Sequence, residues 1–158
     1  MSPRSFAIAA ALVAALLATF AAGVVQAAPI ELHANLNARA EVPRTDSDAT
    51  GAAEFRVAAN RRSIRYELDA SGLSGPPMAA HIHVGRPGQA GGIVLSIALQ
   101  QFTLPREGRL TAKDFTPVGN VKTFRQAIRA MRAGRTYVNI HTERFPAGEI
   151  RGQVRVDR

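Results

Sequence analysis

The feature that most constrains the fold is an alternation of apolar and polar residues with a period of two. In "IELHANLNARA", Ile30, Leu32 and Leu36 are separated by polar residues, which is typical of a β-strand with one buried face. Further strand-like runs are "AAEFRV", "SIRYELDA", "AAHIHVG", "GGIVLSIAL", the weaker "GRLTAKDFTP" and the closing "RTYVNIHTERFPAGEIRGQVRV", which holds two strands around the turn "RFPAGE". Six to eight short strands with turn signals between them predict an all-β protein, an antiparallel sandwich or barrel.

One segment, "NVKTFRQAIRAMRAG", departs from this pattern. Phe124, Ile128 and Met131 lie at i, i+4 and i+7, as on the buried face of a helix. Asn120 or Thr123 can cap its start, and Gly134 stands where a left-handed cap is wanted. The sequence therefore predicts one short helix before the last two strands.

The first 27 residues have the organisation of a secretory signal peptide. Arg4 precedes an apolar run from Phe6 to about Ala22, and "VQA" at 25–27 is a small-residue cleavage pattern. No later run approaches the roughly 20 apolar residues that cross a bilayer. We expect a signal peptide at 1–27, a single domain at 28–158, and an exported protein, periplasmic or secreted, without a stable membrane span after cleavage. An uncleaved anchor is the alternative.

Composition limits the chemistry and the partners. The chain has no cysteine, which excludes thiolate metal sites, disulfides and cysteine nucleophiles. The formal net charge of +8 becomes +7 when Arg4 is removed with the signal peptide, and most of it comes from arginine. Such a surface is either simply solvated or attracts an anionic envelope component. The absence of an aromatic and basic platform argues against nucleic acid.

Two histidines one residue apart, His81 and His83, are the strongest candidates for chemistry. On a strand, residues i and i+2 point to the same face with Cα atoms roughly 7 Å apart, so two imidazoles can converge on one ion. His141 lies on the polar face of the penultimate strand and joins them only if the two strands are neighbours. His33, on the polar face of its own strand, is a candidate fourth ligand. The alternative is that these histidines are solvated or bonded to backbone carbonyls.

Other reactive patterns are missing. "GLSGP" around Ser74 has Pro76 where a nucleophile elbow needs glycine, and the glycines at 85–92 fit no phosphate-binding fingerprint. The spacing of Glu41, Glu67 and Glu149 does not pair them as an acid and a base. The sequence therefore favours a protein that is not an enzyme.

Three segments together resemble a known family. "AEVP" at 40–43, "AAHIHVGRPGQAGGIVLSIAL" and "AGRTYVNIHTERFPAGEIRGQV" follow one another as in the CHRD domain, first described in chordin and also present in exported bacterial proteins. The resemblance covers nearly the whole of 28–158. It implies an immunoglobulin-like β-barrel with a distant similarity to the copper-zinc superoxide dismutases.

The resemblance also bears on the metal. "HIH" and "GRTYVNIH" are similar to dismutase segments that bind copper, which implies His81, His83 and His141 as copper ligands. The histidine- and aspartate-rich zinc loop of the dismutases has no counterpart here, and neither has the cysteine pair that tethers it. This departure argues against dismutase catalysis and leaves a single copper or zinc site.

Two functions of different classes follow. The first is a non-catalytic module that binds copper or zinc through His81, His83 and His141, with His33 or a water completing the shell. The second is a structural or adhesive module that binds an envelope component or a protein partner. The resemblance implies such a role because the domain in chordin is part of a multidomain secreted antagonist. A superoxide dismutase is a third and weaker alternative.

Overall fold

In a computed structural model of the chain, residues 27–157 are described. The nine strands are β1 Ile30–Asn37, β2 Thr50–Val57, β3 Ile64–Ser71, β4 Pro77–Val84, β5 Ile93–Ala98, β6 Arg106–Leu110, β7 Thr136–Thr142, β8 Ile150–Gln153 and β9 Arg155–Val156. One α-helix, α1 Phe124–Arg132, precedes β7, and single 3-10 turns occupy Ala38–Ala40 and Ala112–Asp114. The predicted all-β class with one short helix is confirmed.

All nine strands belong to one antiparallel sheet that curls into a nearly closed barrel. Its order is β5-β4-β7-β8-β1-β2-β3-β6, and β9 pairs with β1. The end strands β5 and β6 also contact each other. The closing segment, predicted as two strands, forms three, because Val154 leaves the ladder between β8 and β9 and its amide donates to the Thr136 carbonyl.

The apolar residues of the alternating runs fill the barrel. Leu32, Phe55, Ile82 and Ile140 are at most 2% exposed, and they belong to one continuous core cluster. Burying a side chain of this size contributes about 1.5–3 kcal/mol. The polar residues of the same strands consequently point out of the barrel, which puts the histidines of β4 on its outer side.

The helix matches its predicted residues. The Thr123 hydroxyl accepts from the amide of Gln126 as the N-cap, and Gly134 has a φ of 63° just beyond the last turn. Phe124, Ile128 and Met131 are buried against the core. The helix therefore packs on the barrel through the face that the i, i+4, i+7 spacing indicates.

The predicted signal peptide lies, apart from Ala27, outside the described residues. Within residues 27–157, the structure contains no helix long and apolar enough to span a membrane.

Candidate metal centre

Three histidines meet on the outer side of the barrel because β4 and β7 are paired antiparallel neighbours. In this register His81 lies opposite Asn139 and Ala79 lies opposite His141. The ring centroids of His81 and His141 are 5.1 Å apart, and those of His81 and His83 are 5.8 Å apart. One ring nitrogen from each of the three histidines lies within 4.8 Å of the other two. The neighbour relationship that periodicity alone could not establish therefore holds.

Hydrogen bonds to the backbone determine which nitrogens are free. Nδ1 of His83 lies 2.9 Å from the Gly91 carbonyl oxygen, and Nδ1 of His141 lies 3.0 Å from the Pro146 carbonyl oxygen. A carbonyl oxygen only accepts, so both neutral rings carry their proton on Nδ1. Both Nε2 atoms then keep a lone pair, and a backbone partner on the other nitrogen is the usual second contact of metal-binding histidines.

The Nδ1 atom of His81 and the Nε2 atom of His83 differ in their hydrogen bonds. Nδ1 of His81 is 3.2 Å from Nε2 of His141, and since the latter holds a lone pair, His81 is the donor. In the other neutral tautomer of His81, with its proton on Nε2, two lone pairs face each other. Nε2 of His83 is buried and has no hydrogen-bond partner among the described residues. A buried polar atom without a partner costs about 1–3 kcal/mol, and a metal ion would remove that cost.

The surroundings keep the three rings neutral. Burial lowers the pKa of His81 from 6.5 to about 4, with the neighbouring His141 and His83 adding to the effect. Burial likewise lowers the pKa of His83 and of His141, although the bonds to Gly91 and Pro146 work in the opposite direction. Because neutral imidazole is the form that binds a metal, the cluster is in its binding state at neutral pH.

The donor set fits copper or zinc. Imidazole nitrogen suits both ions, and three protein histidines with an open fourth position are a known zinc arrangement. Two nitrogens bound to one ion at about 2.0–2.1 Å in tetrahedral geometry lie roughly 3.4 Å apart. The 3.2 Å between His81 and His141 already matches that separation. Since the three nitrogens lie within 4.8 Å of one another, His83 is close enough to be the third member of the set.

The structure does not bring His33 to this cluster. His33 lies on β1, which β7 and β8 separate from β4 in the sheet order. Its Nδ1 contacts the Asp157 carboxylate at the β9 end of the chain. His33 does lie on the polar, outward face of β1, but that face is a different part of the outer surface of the barrel. A water is therefore the remaining candidate for a fourth ligand.

An aromatic and cationic stack supports His83 from the side. The His83 ring lies parallel to Tyr137, with centroids 4.9 Å apart and an interplanar angle of 7°. The guanidinium carbon of Arg151 lies 4.3 Å from the centroid of the same tyrosine ring. The Tyr137 hydroxyl accepts from the amide of Gly91, whose carbonyl binds His83. The orientation of His83 is thus tied to two other strands and to the loop after β4.

A buried ion pair anchors this stack. Nε of Arg151 donates to Glu41 at 2.7 Å, and Nδ2 of Asn139 donates to the other carboxylate oxygen at 2.7 Å. The side chains of Arg151 and Glu41 are only 6% and 2% exposed. Burial raises the pKa of Glu41, and Arg151 opposes that rise. Sequence reasoning left Glu41 without a partner because 110 residues separate it from Arg151.

Glu149 is also an architectural carboxylate rather than an acid or a base. It is fully buried and accepts from the Ser47, Ser74 and Thr142 hydroxyls and from the Ser74 amide. These hydrogen bonds hold the pKa of Glu149 below 4.5 despite its burial. The bonds join the loops on either side of β2 and β3 to the end of β7. The motifs "NIHT" and "GEIRG" therefore contain one histidine of the cluster beside residues that make structural contacts.

The structure is a small antiparallel β-barrel in which three histidines cluster on two neighbouring strands. The chain belongs to the CHRD domain family, whose model matches residues 32–154. That range contains most of β1, all of β2 to β8, the helix and all three clustered histidines. No curated protein and no solved structure matches the chain at a significant level.

Proposed function

We propose that this protein is an exported, non-catalytic module that binds one copper or zinc ion through His81, His83 and His141. One observation carries the proposal: three neutral imidazoles from two strands place a nitrogen each within 4.8 Å of one another, and Nε2 of His83 is buried without a partner among residues 27–157. The backbone carbonyls of Gly91 and Pro146 orient two of the rings.

Each residue has a distinct part in binding. His83 and His141 offer Nε2 without losing a proton, because their protons lie on Nδ1. His81 would offer Nδ1 in its other neutral tautomer, in which the proton that Nδ1 donates to His141 is carried on Nε2 instead. The ion supplies the positive charge that holds the three lone pairs together. Tyr137 and Arg151 keep the His83 ring in place.

Metal titration tests the proposal. Calorimetry and thermal melting of the purified protein with Cu²⁺ and Zn²⁺ are expected to show one equivalent bound and a higher melting temperature. The double variant His81→Gln, His83→Gln is expected to lose both effects, because it retains one of the three ligands. His33→Gln is the matched control, since it removes a histidine outside the cluster, and it is expected to bind like the parent.

Circular dichroism of the variants in a chelator separates loss of binding from loss of fold. Stoichiometric binding that survives in the double variant would show that the ion lies elsewhere. Absence of binding in the folded parent would leave the cluster as a structural feature.

A second function, an adhesive module, has one observation in its favour. Arg125, Arg129 and Arg132 are all exposed on the outer face of the helix. Such a row attracts an anionic envelope component in a salt-dependent way. Reversal of these three arginines to glutamate is expected to abolish adsorption to anionic vesicles and to leave metal binding unchanged. Adsorption that persists in this variant would argue against the helix as the contact.

A further inference from the structure

The outward side of β2, β3 and β6 carries an ordered pattern of charge, which we call the striped face. Its acidic row consists of Glu54, Glu67 and Glu107, and its basic row consists of Arg56, Arg65 and Arg109. All six side chains belong to exposed residues on the side opposite the core. The two rows run across three neighbouring strands, at right angles to the strand direction.

The strand register makes the rows straight. Glu67 lies directly opposite Glu54 on one side and Glu107 on the other. Arg65 likewise lies opposite both Arg56 and Arg109. Each row therefore consists of three like charges on directly paired positions.

Like charges at directly opposite positions of a sheet are destabilising. In the described part of the chain, one of the six side chains has an oppositely charged group within 4 Å: Arg56 contacts Glu31 at 3.0 Å. The other five have none, although an acidic and a basic residue alternate along each strand. An external partner would offset the repulsion within each row.

The pattern is complementary to itself. The rows are two residues apart along each strand, which places them roughly 7 Å from each other. Two copies can therefore be placed face to face around a two-fold axis that is parallel to the rows and lies midway between them. This axis places the acidic row of each copy over the basic row of the other. Glu67 of one copy then faces Arg65 of its partner, and the same holds for the pairs on β2 and β6. Such an interface buries the same patch on both copies, as closed dimers do.

We propose that the striped face is the contact surface of a homodimer of this chain. A polyanion would meet the basic row but would be repelled by the acidic row about 7 Å away, and a polycation has the converse difficulty. A second copy satisfies both rows at once. The face lies on strands other than β4 and β7, so this contact is independent of the metal centre.

Charge reversal of each row tests the dimer. Sedimentation velocity of the parent from about 10 μM to 1 mM, the range of weak association, is expected to show dimers that dissociate in high salt. The variant with Glu54, Glu67 and Glu107 changed to Lys is expected to dimerise at least tenfold more weakly, because all facing charges become positive. The variant with Arg56, Arg65 and Arg109 changed to Glu is expected to do the same.

An equimolar mixture of the two variants is the decisive measurement. A fully positive face meets a fully negative one, so a heterodimer at least as tight as the parent dimer is expected. A parent that stays monomeric throughout, variants that dimerise like the parent, or a mixture that stays monomeric would each overturn the proposal.

Matched controls change the net charge equally at exposed positions elsewhere. Asp46, Asp48 and Glu143 changed to Lys match the first variant, and Arg125, Arg129 and Arg132 changed to Glu match the second. Both are expected to dimerise like the parent, and weakening as large as in the row variants would overturn a specific contact. Circular dichroism checks each fold. If a triple variant does not fold, the single reversals Glu67→Arg and Arg65→Glu test the same pairing.

Discussion

His81, His83 and His141 provide the nitrogens of the candidate centre, whereas Glu41, Asn139 and Arg151 connect β7, which carries His141, to β8 and to the segment after β1. The second group is as buried as the apolar core: Glu41 accepts from both Asn139 and Arg151, and Arg151 also donates to the Gln89 and Val42 carbonyls. Its contribution to stability depends on both charges being present, because a single charge left in this environment has no compensation. The short motif "YVNIHT" therefore contains both a histidine of the candidate centre, His141, and a structural residue, Asn139.

Removal of one charge from the buried pair is expected to be costly. Arg151→Met retains much of the side-chain volume but leaves the Glu41 carboxylate buried without its cation. We expect the free energy of unfolding to fall by about 3–5 kcal/mol, measured by urea denaturation. The exposed pair of Arg144 and Asp46 is the control, and Arg144→Met is expected to cost at most about 1 kcal/mol. Equal effects of the two variants would contradict this account.

Proton competition at the histidines sets the pH range of metal binding. A protonated imidazole cannot bind an ion, so the sequence alone predicts loss of affinity below the ordinary pKa of about 6.5. Burial lowers the pKa of all three rings, and that of His81 to about 4. We therefore expect binding to persist at pH 6 and to be lost toward pH 4, as measured by metal titration across this range. Half-loss at pH 6.5 or above would show that the rings are ordinary surface histidines.

Among the elements, the loop between β4 and β5 has the closest connection to the candidate centre. Its Gly91 carbonyl orients His83, and its amide donates to Tyr137. A Cβ atom at this position would lie 1.7 Å from the Val84 carbonyl oxygen, which only glycine avoids. The glycine-rich sequence of this loop is therefore a requirement of close packing, and not a phosphate-binding pattern.

A methyl group in this loop is expected to disturb the centre. Gly91→Ala must displace the backbone from Val84, which moves the carbonyl away from His83. We expect metal affinity to fall at least tenfold, measured by calorimetry, since lost outer contacts of a metal ligand typically cost 10–100-fold. Gly75→Ala is the control, because no atom lies within 4 Å of its added Cβ. Unchanged metal affinity in Gly91→Ala would show that this loop does not support metal binding.

At the scale of the whole molecule, the buried neutral histidines make stability depend on pH. The folded pKa of His81 is about 4 and its ordinary value is 6.5, so the unfolded chain binds more protons between these values. Stability therefore decreases as the pH falls from 6.5 to 4, by up to about 3 kcal/mol for this group, since one pKa unit corresponds to about 1.4 kcal/mol.

Denaturation in a chelator at several pH values measures this dependence. His81→Gln cannot be protonated in this range, so its stability is expected to change less between pH 6.5 and 4 than that of the parent. Equal dependence in the two proteins would assign the acid sensitivity to other groups. Glu149 is one such group, because its lowered pKa lets the unfolded chain bind a proton first as the pH falls, whereas the raised pKa of Glu41 acts in the opposite direction.

The sequence by itself determined the strands, the helix and the two faces of each element, because period two and the i, i+4, i+7 spacing are local consequences of backbone geometry. It also identified His81 and His83 as a pair, since two residues on one strand need no tertiary information. Only the tertiary structure decided that His141 joins them and that His33 does not, because strand order is set by packing of the whole barrel. The sequence could not predict the partners of Glu41 or the straight charge rows, because each depends on the register between different segments of the chain.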